Sequence, residues 1–378
     1  MTACGTVQEQ AASSPVATTV TPKSAATLAP TSPQQSTHSP PVSDTPGLIA
    51  PSPRPAPSQT PTLKAPEGGI VEWLSEAEAT SLRSLQQVDD FPLYIMHHYG
   101  EYPARAGSGA PPDDTGPSWA CSLFATLAAG QEMLYGRNFD WGFSPALLLF
   151  AHPPDGYASV SMVDIAYLLD RSQVRTLMDL PLAERAPLLE AVYFPFDGMN
   201  DHGLTIGMAA VASSRMPHDP GRETIGSLGV IRELLDHARD VDEAVEIMGR
   251  YNLSMEGGPS IHYLIADRSG RAVLVEFDGG QMHVLPNKDP WHAATNHLRN
   301  QVEGDDDRGC WRYRAIQEQL AGSQGKLSSE EAMSLLQEVS QVGTQWSVVY
   351  GISSGEVQVS LGREYESVHR FEIAPTSP

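Results

Sequence analysis

Two strand-length runs on either side of a short turn constrain the fold of this chain most. The first run covers residues 121–127 and the second covers residues 133–141, with Ala-Ala-Gly at 128–130 between them. A three-residue loop that ends on glycine suits a β-hairpin with a left-handed glycine and a bulge. This register predicts that Cys121 lies directly opposite Arg137, since opposed side chains share one face of a sheet.

A thiol beside a guanidinium is a candidate nucleophile. The positive charge of Arg137 is expected to lower the cost of forming a thiolate at Cys121. Asp140, where the second run ends, is expected to orient an amine or the guanidinium. A buried structural thiol is the alternative, because free cysteine is among the most buried residue types. From these residues alone both interpretations stay open.

Composition separates a tail from a globular part. Residues 1–68 contain no aromatic residue and 13 of the 31 prolines. Such a segment buries too little apolar surface to offset its ordering entropy, so we predict a disordered Pro/Ser/Thr-rich tether over 1–68. The tether is neutral, and the net charge of -22 therefore falls on the remainder. Nucleic acid is excluded as a partner, because phosphate binding needs a basic surface.

The remainder divides into two parts. Residues 69–120 are predicted to form a helical segment and a loop, because apolar residues recur at helical spacing over 69–100 and Ser75 suits a helix N-cap. Residues 121–378 are predicted to form the main domain. They alternate strand blocks with paired helices, such as the two that break near Asp240, and this pattern predicts a layered α+β fold.

The chain has three cysteines, Cys4, Cys121 and Cys310, an odd number that argues against a disulfide framework. A bridge between Cys121 and Cys310 would consume the candidate nucleophile, so we expect the Cys121 thiol to be free. The histidines lack metal-ligand spacings such as His-Glu-x-x-His. We therefore predict that the chain uses no metal and no organic cofactor.

The residues around Cys121 and the return strand at 136–141 resemble the choloylglycine hydrolase family. Its members are N-terminal-nucleophile cysteine hydrolases of linear amides, among them bile salt hydrolases, penicillin V acylases and relatives of acid ceramidase. Two further segments match, namely the strand-entering turn at 196–204 and the stretch at 294–298 that supplies the family's catalytic asparagine. The resemblance covers roughly residues 70–375 and implies a four-layer αββα sandwich.

The resemblance also implies the chemistry of the site. The nucleophile is Cys121, and the base is its own α-amine, which exists only after autoprocessing cleaves the Ala120–Cys121 peptide bond. Asn296 is implied to stabilise the oxyanion. One arginine is implied to approach the nucleophile from further along the chain, and the candidates are Arg308, Arg312 and Arg314. Arg312 fits best, by its place in a Cys-Trp-Arg-Tyr segment.

The implied activity is hydrolysis of a linear, non-peptide carbon–nitrogen amide bond in a small-molecule N-acyl substrate, through an acyl-enzyme intermediate. Bile salt hydrolases and penicillin acylases carry Asn or Tyr where this chain has Ala210, so their substrates do not transfer directly. Two alternatives stay open: a papain-like pairing of Cys121 with a histidine, and a catalytically idle, tethered binding module of the same fold. The oligomeric state is open too, because some members of the family are homo-oligomers.

The first residues carry a second resemblance. Met-Thr-Ala-Cys-Gly at 1–5 resembles the end of a bacterial lipoprotein signal, in which a flexible stalk follows a lipidated cysteine. We therefore expect an extracytoplasmic enzyme that is held to a membrane through lipidated Cys4. The apolar region that such a signal requires does not precede Cys4 in the sequence, so a cytoplasmic enzyme that starts at Met1 is the alternative.

Overall fold

The computed structural model describes residues 73–102, 120–302 and 306–374. The tether predicted over 1–68 lies outside these residues, as do Cys4 and most of the loop before Cys121. The predictions made for these parts of the chain, including lipidation, stay predictions. Within the described ranges, no helix is long and apolar enough to cross a membrane.

The secondary-structure elements are numbered in chain order. The α-helices are α1 (Glu76–Arg83), α2 (Arg171–Arg175), α3 (Gly229–His237), α4 (Val241–Met248), α5 (Trp311–Ser323) and α6 (Ser329–Glu338). The strands are β1 (Gln86–Asp89), β2 (Leu93–Tyr99), β3 (Ala120–Thr126), β4 (Leu134–Asp140), β5 (Ala146–His152), β6 (Ser159–Asp164), β7 (Asp197–Asn200), β8 (Thr205–Ala210), β9 (Thr224–Gly226), β10 (Asn252–Ser254), β11 (Ile261–Ala266), β12 (Ala272–Asp278), β13 (Gln281–Pro286), β14 (Trp291–Ala294), β15 (Thr344–Gly351), β16 (Glu356–Leu361) and β17 (His369–Glu372). Short 3-10 helices cover Ile165–Tyr167, Leu177–Asp179 and Leu182–Tyr193.

Two sheets packed face to face form the centre of the fold. The larger sheet has nine strands in the order β1-β2-β5-β6-β7-β8-β11-β12-β13, and the smaller has six in the order β14-β3-β4-β15-β16-β17. Helices α5 and α6 cover the outer face of the six-stranded sheet, while α1 and α3 pack on the nine-stranded sheet. The predicted α+β fold, a four-layer αββα sandwich, is therefore confirmed.

Strand β3 carries Cys121 and is buried along its whole length, because the second sheet covers one of its faces and helices cover the other. Alternate side chains of a strand point to opposite faces, so Leu123 packs between the sheets while Phe124 packs with the helices. At Gly207 on β8, a Cβ atom would lie 2.7 Å from the Tyr135 hydroxyl. Glycine at this position lets β8 approach the β3–β4 hairpin closely.

The predicted register of this hairpin is wrong by two residues. Cys121 pairs with Phe139, and Arg137 pairs with Leu123. The connection between β3 and β4 spans seven residues rather than three, because the Leu127 N–H donates to the carbonyl of Pro290, just before β14, instead of to β4. A shift of two residues preserves the face of a strand, so Arg137 still lies on the same face as Cys121.

The predicted helix over residues 69–100 is wrong beyond its first turns. Helix α1 ends at Arg83, although its N-cap is Ser75 as predicted, with a capping box completed by Glu78. The residues that follow form β1 and β2, and β2 pairs in parallel with β5 inside the nine-stranded sheet. The segment before Cys121 is therefore an integral part of the sandwich. The two helices predicted on either side of Asp240 are confirmed as α3 and α4, and Asp240 is the N-cap of α4.

This integration predicts a measurable effect on stability. Leu82 on α1 is fully buried in the core beneath β2 and β5. Leu82→Ala is expected to lower the free energy of unfolding of the whole sandwich by roughly 2–5 kcal/mol, through lost burial and a residual cavity. Denaturant unfolding followed by tryptophan fluorescence measures this change. The exposed neighbour Arg83→Ala serves as control, with an expected change within about 0.5 kcal/mol. An unchanged midpoint in Leu82→Ala would show that this segment is an appendage.

Candidate active site

Three atoms of Cys121 are contacted by three different buried side chains. The main-chain N–H donates to Asn296 Oδ1 at 2.8 Å. The carbonyl oxygen accepts from Arg312 Nη1, and Sγ lies 3.9 Å from Arg137 Nη2. Cys121 is 6% exposed and carries a free thiol, as predicted. The structure therefore brings together residues that are up to 191 positions apart in the chain.

Asn296 reaches Cys121 because the sheet ends two residues before it. Strand β14 pairs with β3 as far as Ala294, opposite Leu123. Beyond that point a side chain takes the place of the main-chain hydrogen bonds between β14 and β3. Asn296 Oδ1 accepts from the Cys121 N–H and, at 2.9 Å, from Arg312 Nη2. Both of these partners are obligate donors, and they fix which end of the amide is oxygen. Nδ2 consequently faces the other way.

The Asn296 amide nitrogen donates to the main-chain oxygen of Ala210 at 2.8 Å. Ala210 is the residue where the family pattern has a longer polar side chain, and here its carbonyl contacts the candidate site instead. An amide nitrogen carries two hydrogens, and this bond uses one of them. Asn296 thus bridges β3 of one sheet and the end of β8 of the other.

The structure separates the arginine candidates. Arg312 lies in the first turn of α5, is fully buried, and also donates to Ser122 Oγ at 2.9 Å. Burial lowers the pKa of Arg312, and the charges of Asp140 and Cys121 act in the opposite direction. By contrast, the side chains of Arg308 and Arg314 are about half exposed. Only Arg312, among these three, contacts Cys121.

Arg137 is paired with a carboxylate that sequence reasoning missed. Its guanidinium forms a salt bridge with Asp197 on β7, and neither side chain is exposed. Tyr350 donates its hydroxyl to the same carboxylate, and the Arg137 guanidinium lies 5.0 Å from the centre of the Phe139 ring. Burial alone would lower the pKa of Arg137, but the charge of Asp197, the charge of Cys121 and the hydrogen bond to Asp197 act together to offset it, and the pKa is raised. Asp197 lies in the strand-entering turn at 196–204 that the sequence analysis singled out. Its role as the partner of Arg137 is visible only in the folded chain.

The electrostatics of Cys121 differ from the expectation of a thiolate. Burial raises the pKa of the Cys121 thiol, and the charge of Arg137 offsets this only in part. The main-chain N–H of Asp140 and the charge of Arg312 also act to lower it. Because burial outweighs these effects, the thiol of the intact chain is neutral near pH 7.

Asp140 lies at the end of β4 but does not orient a guanidinium in the intact chain. Its carboxylate accepts from the Thr344 hydroxyl and from Gln341 Nε2 at 2.8 Å. Burial raises the pKa of Asp140, while these two hydrogen bonds and the charge of Arg312 act to lower it. The side chain is thus held close to the arginines by polar groups of the β15 region.

A small cavity of about 20 Å³ opens at the Cys121 thiol. Its walls are mainly apolar and aromatic, and they are formed by Cys121, Arg137, Phe139, Asp140, Trp141, Tyr167, Phe196, Met208, Ala210 and Ile261. The ring centres of Phe139 and Trp346 lie 4.1 Å apart and those of Tyr167 and Phe196 lie 5.6 Å apart, so aromatic stacking packs these walls. Across the described residues, no group of three or more His, Cys, Asp or Glu side chains is arranged to hold a metal ion.

Three solved structures are reported as similar to this chain. They are a conjugated bile acid hydrolase from Clostridium perfringens (16% identity, TM-score 0.49, covering 67% of this chain and 92% of that one) and a penicillin V acylase from Agrobacterium tumefaciens (14%, 0.48, 67% and 86%). The third is an N-acylethanolamine-hydrolyzing acid amidase orthologue from Caenorhabditis elegans (14%, 0.41, 61% and 93%). No curated protein matches the chain.

A protein-family comparison matches the second half of the sandwich. The family is described as acyl-coenzyme A:6-aminopenicillanic acid acyl-transferase, and the match covers residues 195–364. The matched residues include Asp197, Asn296 and Arg312 and begin after Cys121. The resemblance predicted from the sequence is thereby confirmed. Over residues 195–364 the chain is therefore similar to this acyl-transferase family.

Proposed function

We propose that the chain is an N-terminal-nucleophile amidohydrolase that cleaves a linear, non-peptide amide through an acyl-cysteine intermediate. The observation that carries this proposal is the separate fixation of the Cys121 nitrogen, carbonyl and sulfur by Asn296, Arg312 and Arg137. A structural cysteine needs no such set of partners. A nucleophile whose own nitrogen also takes part in the reaction needs its nitrogen, carbonyl and sulfur to be held in place.

The proposed enzyme becomes active when the Ala120–Cys121 peptide bond is cleaved. Before cleavage the Cys121 nitrogen is an amide, which is no base, and the buried thiol is neutral. Cleavage converts that nitrogen into an α-amine, whose ordinary pKa of about 7.7–8.0 suits a general base near neutral pH. The new amine forms 2.8 Å from Asn296 Oδ1, which already accepts a hydrogen from it and is placed to orient it.

In the proposed reaction, the amine takes the proton from the thiol, and the sulfur attacks the carbonyl carbon of the substrate. The second N–H of Asn296 donates to the developing oxyanion, in line with the large contribution of such preorganised donors. The ammonium then returns the proton to the departing amine as the carbon–nitrogen bond breaks. Water, deprotonated by the same α-amine, releases the acid and restores the free thiol.

The chemical character of the cavity walls favours an apolar acyl group as the part of the substrate next to Cys121. The walls offer mainly aromatic and aliphatic carbon, and their charged groups, Arg137 and Asp140, are both engaged by other residues. A charged acyl group would lose its hydration there without finding a partner. We therefore propose small-molecule N-acyl amides with an uncharged acyl chain as substrates.

The papain-like alternative finds less support in this geometry. No histidine lies among the residues that line the cavity at Cys121 in the described part of the chain. His262 is the histidine nearest in sequence to a wall residue, Ile261, and both of its ring nitrogens are bound elsewhere. An idle binding module of the same fold is the remaining alternative, and the absence of turnover in the tests below would favour it.

The first prediction concerns maturation. Intact-mass measurement of purified protein is expected to show a species that begins at Cys121, and Cys121→Ala is expected to remain uncut. Because β2 pairs with β5, the two pieces should co-elute from a size-exclusion column although they separate in denaturing gels. Ser360→Ala, a change at a buried serine outside the site, is the control and should be processed normally. A fully active but uncut chain would contradict the amine as base.

The second prediction concerns the thiol. Arg137→Gln removes the cation beside Sγ and is expected to raise the apparent pKa of Cys121, whereas Asp197→Asn leaves that cation unbalanced and is expected to lower it. The pH dependence of alkylation by iodoacetamide measures both shifts. Asp197→Asn should also cost roughly 3–5 kcal/mol of stability, because it leaves a buried charge unpaired.

Tyr350→Phe is the matched control for this pair, since it removes a hydrogen bond to Asp197 but no charge. Its effect on the thiol pKa should be smaller than that of Asp197→Asn. If the Cys121 pKa does not rise in Arg137→Gln, the guanidinium has no electrostatic part in the site.

A further inference from the structure

A fully buried histidine and glutamate lie side by side on neighbouring strands, outside the residues that contact Cys121. His262 on β11 and Glu276 on β12 are both completely shielded from solvent. His262 Nδ1 lies 2.9 Å from Glu276 Oε1, and His262 Nε2 lies 2.7 Å from the main-chain oxygen of Thr295. Thr295 immediately precedes Asn296, so this pair reaches the candidate site through the main chain.

The contacts of Glu276 show that it is ionised. Its two oxygens accept from the main-chain N–H groups of Arg299, at 2.8 and 2.9 Å, and of Asn300, at 2.7 Å. Burial acts to raise the pKa of Glu276, but the hydrogen bond and charge of His262 and these N–H groups more than offset it, and the pKa is lowered. A protonated carboxyl would turn one acceptor into a donor and lose part of this arrangement.

Both ring nitrogens of His262 therefore face oxygen acceptors. A neutral imidazole has one N–H and one bare nitrogen, and a bare nitrogen opposite either oxygen is repulsive. The imidazolium, with two N–H groups, satisfies the carboxylate and the carbonyl together. The geometry requires a charged His262 between Glu276 and Thr295.

The neighbouring histidines do not supply the positive charge that faces Glu276. His292 and His297 are the neighbouring histidines, and burial followed by the charge of Arg299 lowers the pKa of His297 to about 4. Burial also lowers the pKa of His292. Both histidines are thus neutral near pH 7, while Arg299 is a cation that contacts His297 and the ring of Tyr313. His262 is the cation that bonds to Glu276 through its side chain.

The pair holds the Asn296 turn at two points. His262 binds the carbonyl of the preceding residue, and Glu276 binds the main chain a few residues later, at Arg299 and Asn300. Asn296 lies beyond the last pair of the β14–β3 ladder, so sheet hydrogen bonds do not hold it. A charged pair that fixes both flanks supplies the rigidity that the ladder lacks there.

We propose that the His262–Glu276 pair is a positioning device that holds Asn296 against the Cys121 nitrogen. This inference rests on the proposed function, because it assigns the pair to the same reaction. Neither residue contacts the thiol or the cavity, so the pair acts through Asn296 alone.

Turnover of short-chain N-acyl 4-nitroanilides tests the catalytic side of this proposal. Glu276→Gln keeps the shape of the side chain and an acceptor but removes the charge. His262→Gln removes the imidazolium and is the second variant. A displacement of a catalytic group by about 1 Å costs on the order of 10²-fold, so kcat should fall by roughly that factor with KM little changed.

A double-mutant cycle tells positioning from general destabilisation. In an Asn296→Ala background, Glu276→Gln should cause little further loss of kcat, because the group that it positions is already gone. Asp236→Asn on α3 is the matched control, since it breaks another buried ion pair, with Arg232, outside the cavity. It should lower the thermal midpoint without lowering kcat at a temperature where the protein is folded. An equal loss of kcat in both backgrounds would overturn the proposal.

A second readout does not depend on activity. In uncut Cys121→Ala protein, nitrogen NMR should show both ring nitrogens of His262 protonated near pH 7, and Glu276→Gln should shift the side-chain amide resonances of Asn296. If His262 is a neutral tautomer, or if the Asn296 resonances stay in place, the positioning role is wrong whether or not the wild type is an amidase. Normal NMR signatures with no turnover of any acyl amide would instead count against the proposed function.

Discussion

A guanidinium buried between two sheets is the constraint on which the rest of the site depends. Arg137 belongs to the six-stranded sheet and Asp197 to the nine-stranded sheet, and neither side chain has any contact with water. A single buried charge costs several kcal/mol, so each of these groups requires the other. The pair joins the two layers beside the thiol and fixes the electrostatic environment of Cys121. Burial nevertheless outweighs the charge of Arg137 and keeps the Cys121 thiol neutral in the intact chain.

The intact chain therefore has an assembled site that lacks one component. Asn296 and Arg312 already contact the main chain of Cys121, and the cavity already opens at its sulfur. In the proposed mechanism the missing component is a basic nitrogen, which cleavage before Cys121 would supply. The strands that precede the cleavage point lie within the larger sheet, so the fold does not lose them when the bond is cut.

Periodicity and capping made much of the fold predictable, because these signals are local. The Ser75 cap, the break at Asp240 and the layered α+β pattern are examples. Strands β1 and β2 were both missed, because β1 is a short, half-exposed edge strand that follows a helix directly and β2 pairs with β5, which lies far along the chain. The predicted hairpin register was wrong because the register depends on which carbonyl accepts from the Leu127 N–H, and that carbonyl is distant in the chain.

The candidate site was predictable where a motif marks a residue, as at Cys121 and Asn296. It was not predictable where two residues matter only as a pair. Asp197 meets Arg137 across 60 positions, and His262 meets Thr295 across 33, and neither contact leaves a local pattern. The sequence signal that remains for such a pair is a single acidic residue or histidine in an apolar strand, because that group needs a partner once it is buried.

Trapping of the acyl-enzyme tests the central claim most directly. The purified protein would be mixed with a short-chain N-acyl 4-nitroanilide, quenched in acid during turnover, and examined by intact mass and by peptide mapping. The account predicts an adduct of the acyl mass on Cys121 at the first position of a chain that begins there. An adduct on Cys121 within an uncut chain, or turnover that persists in Cys121→Ala, would contradict it.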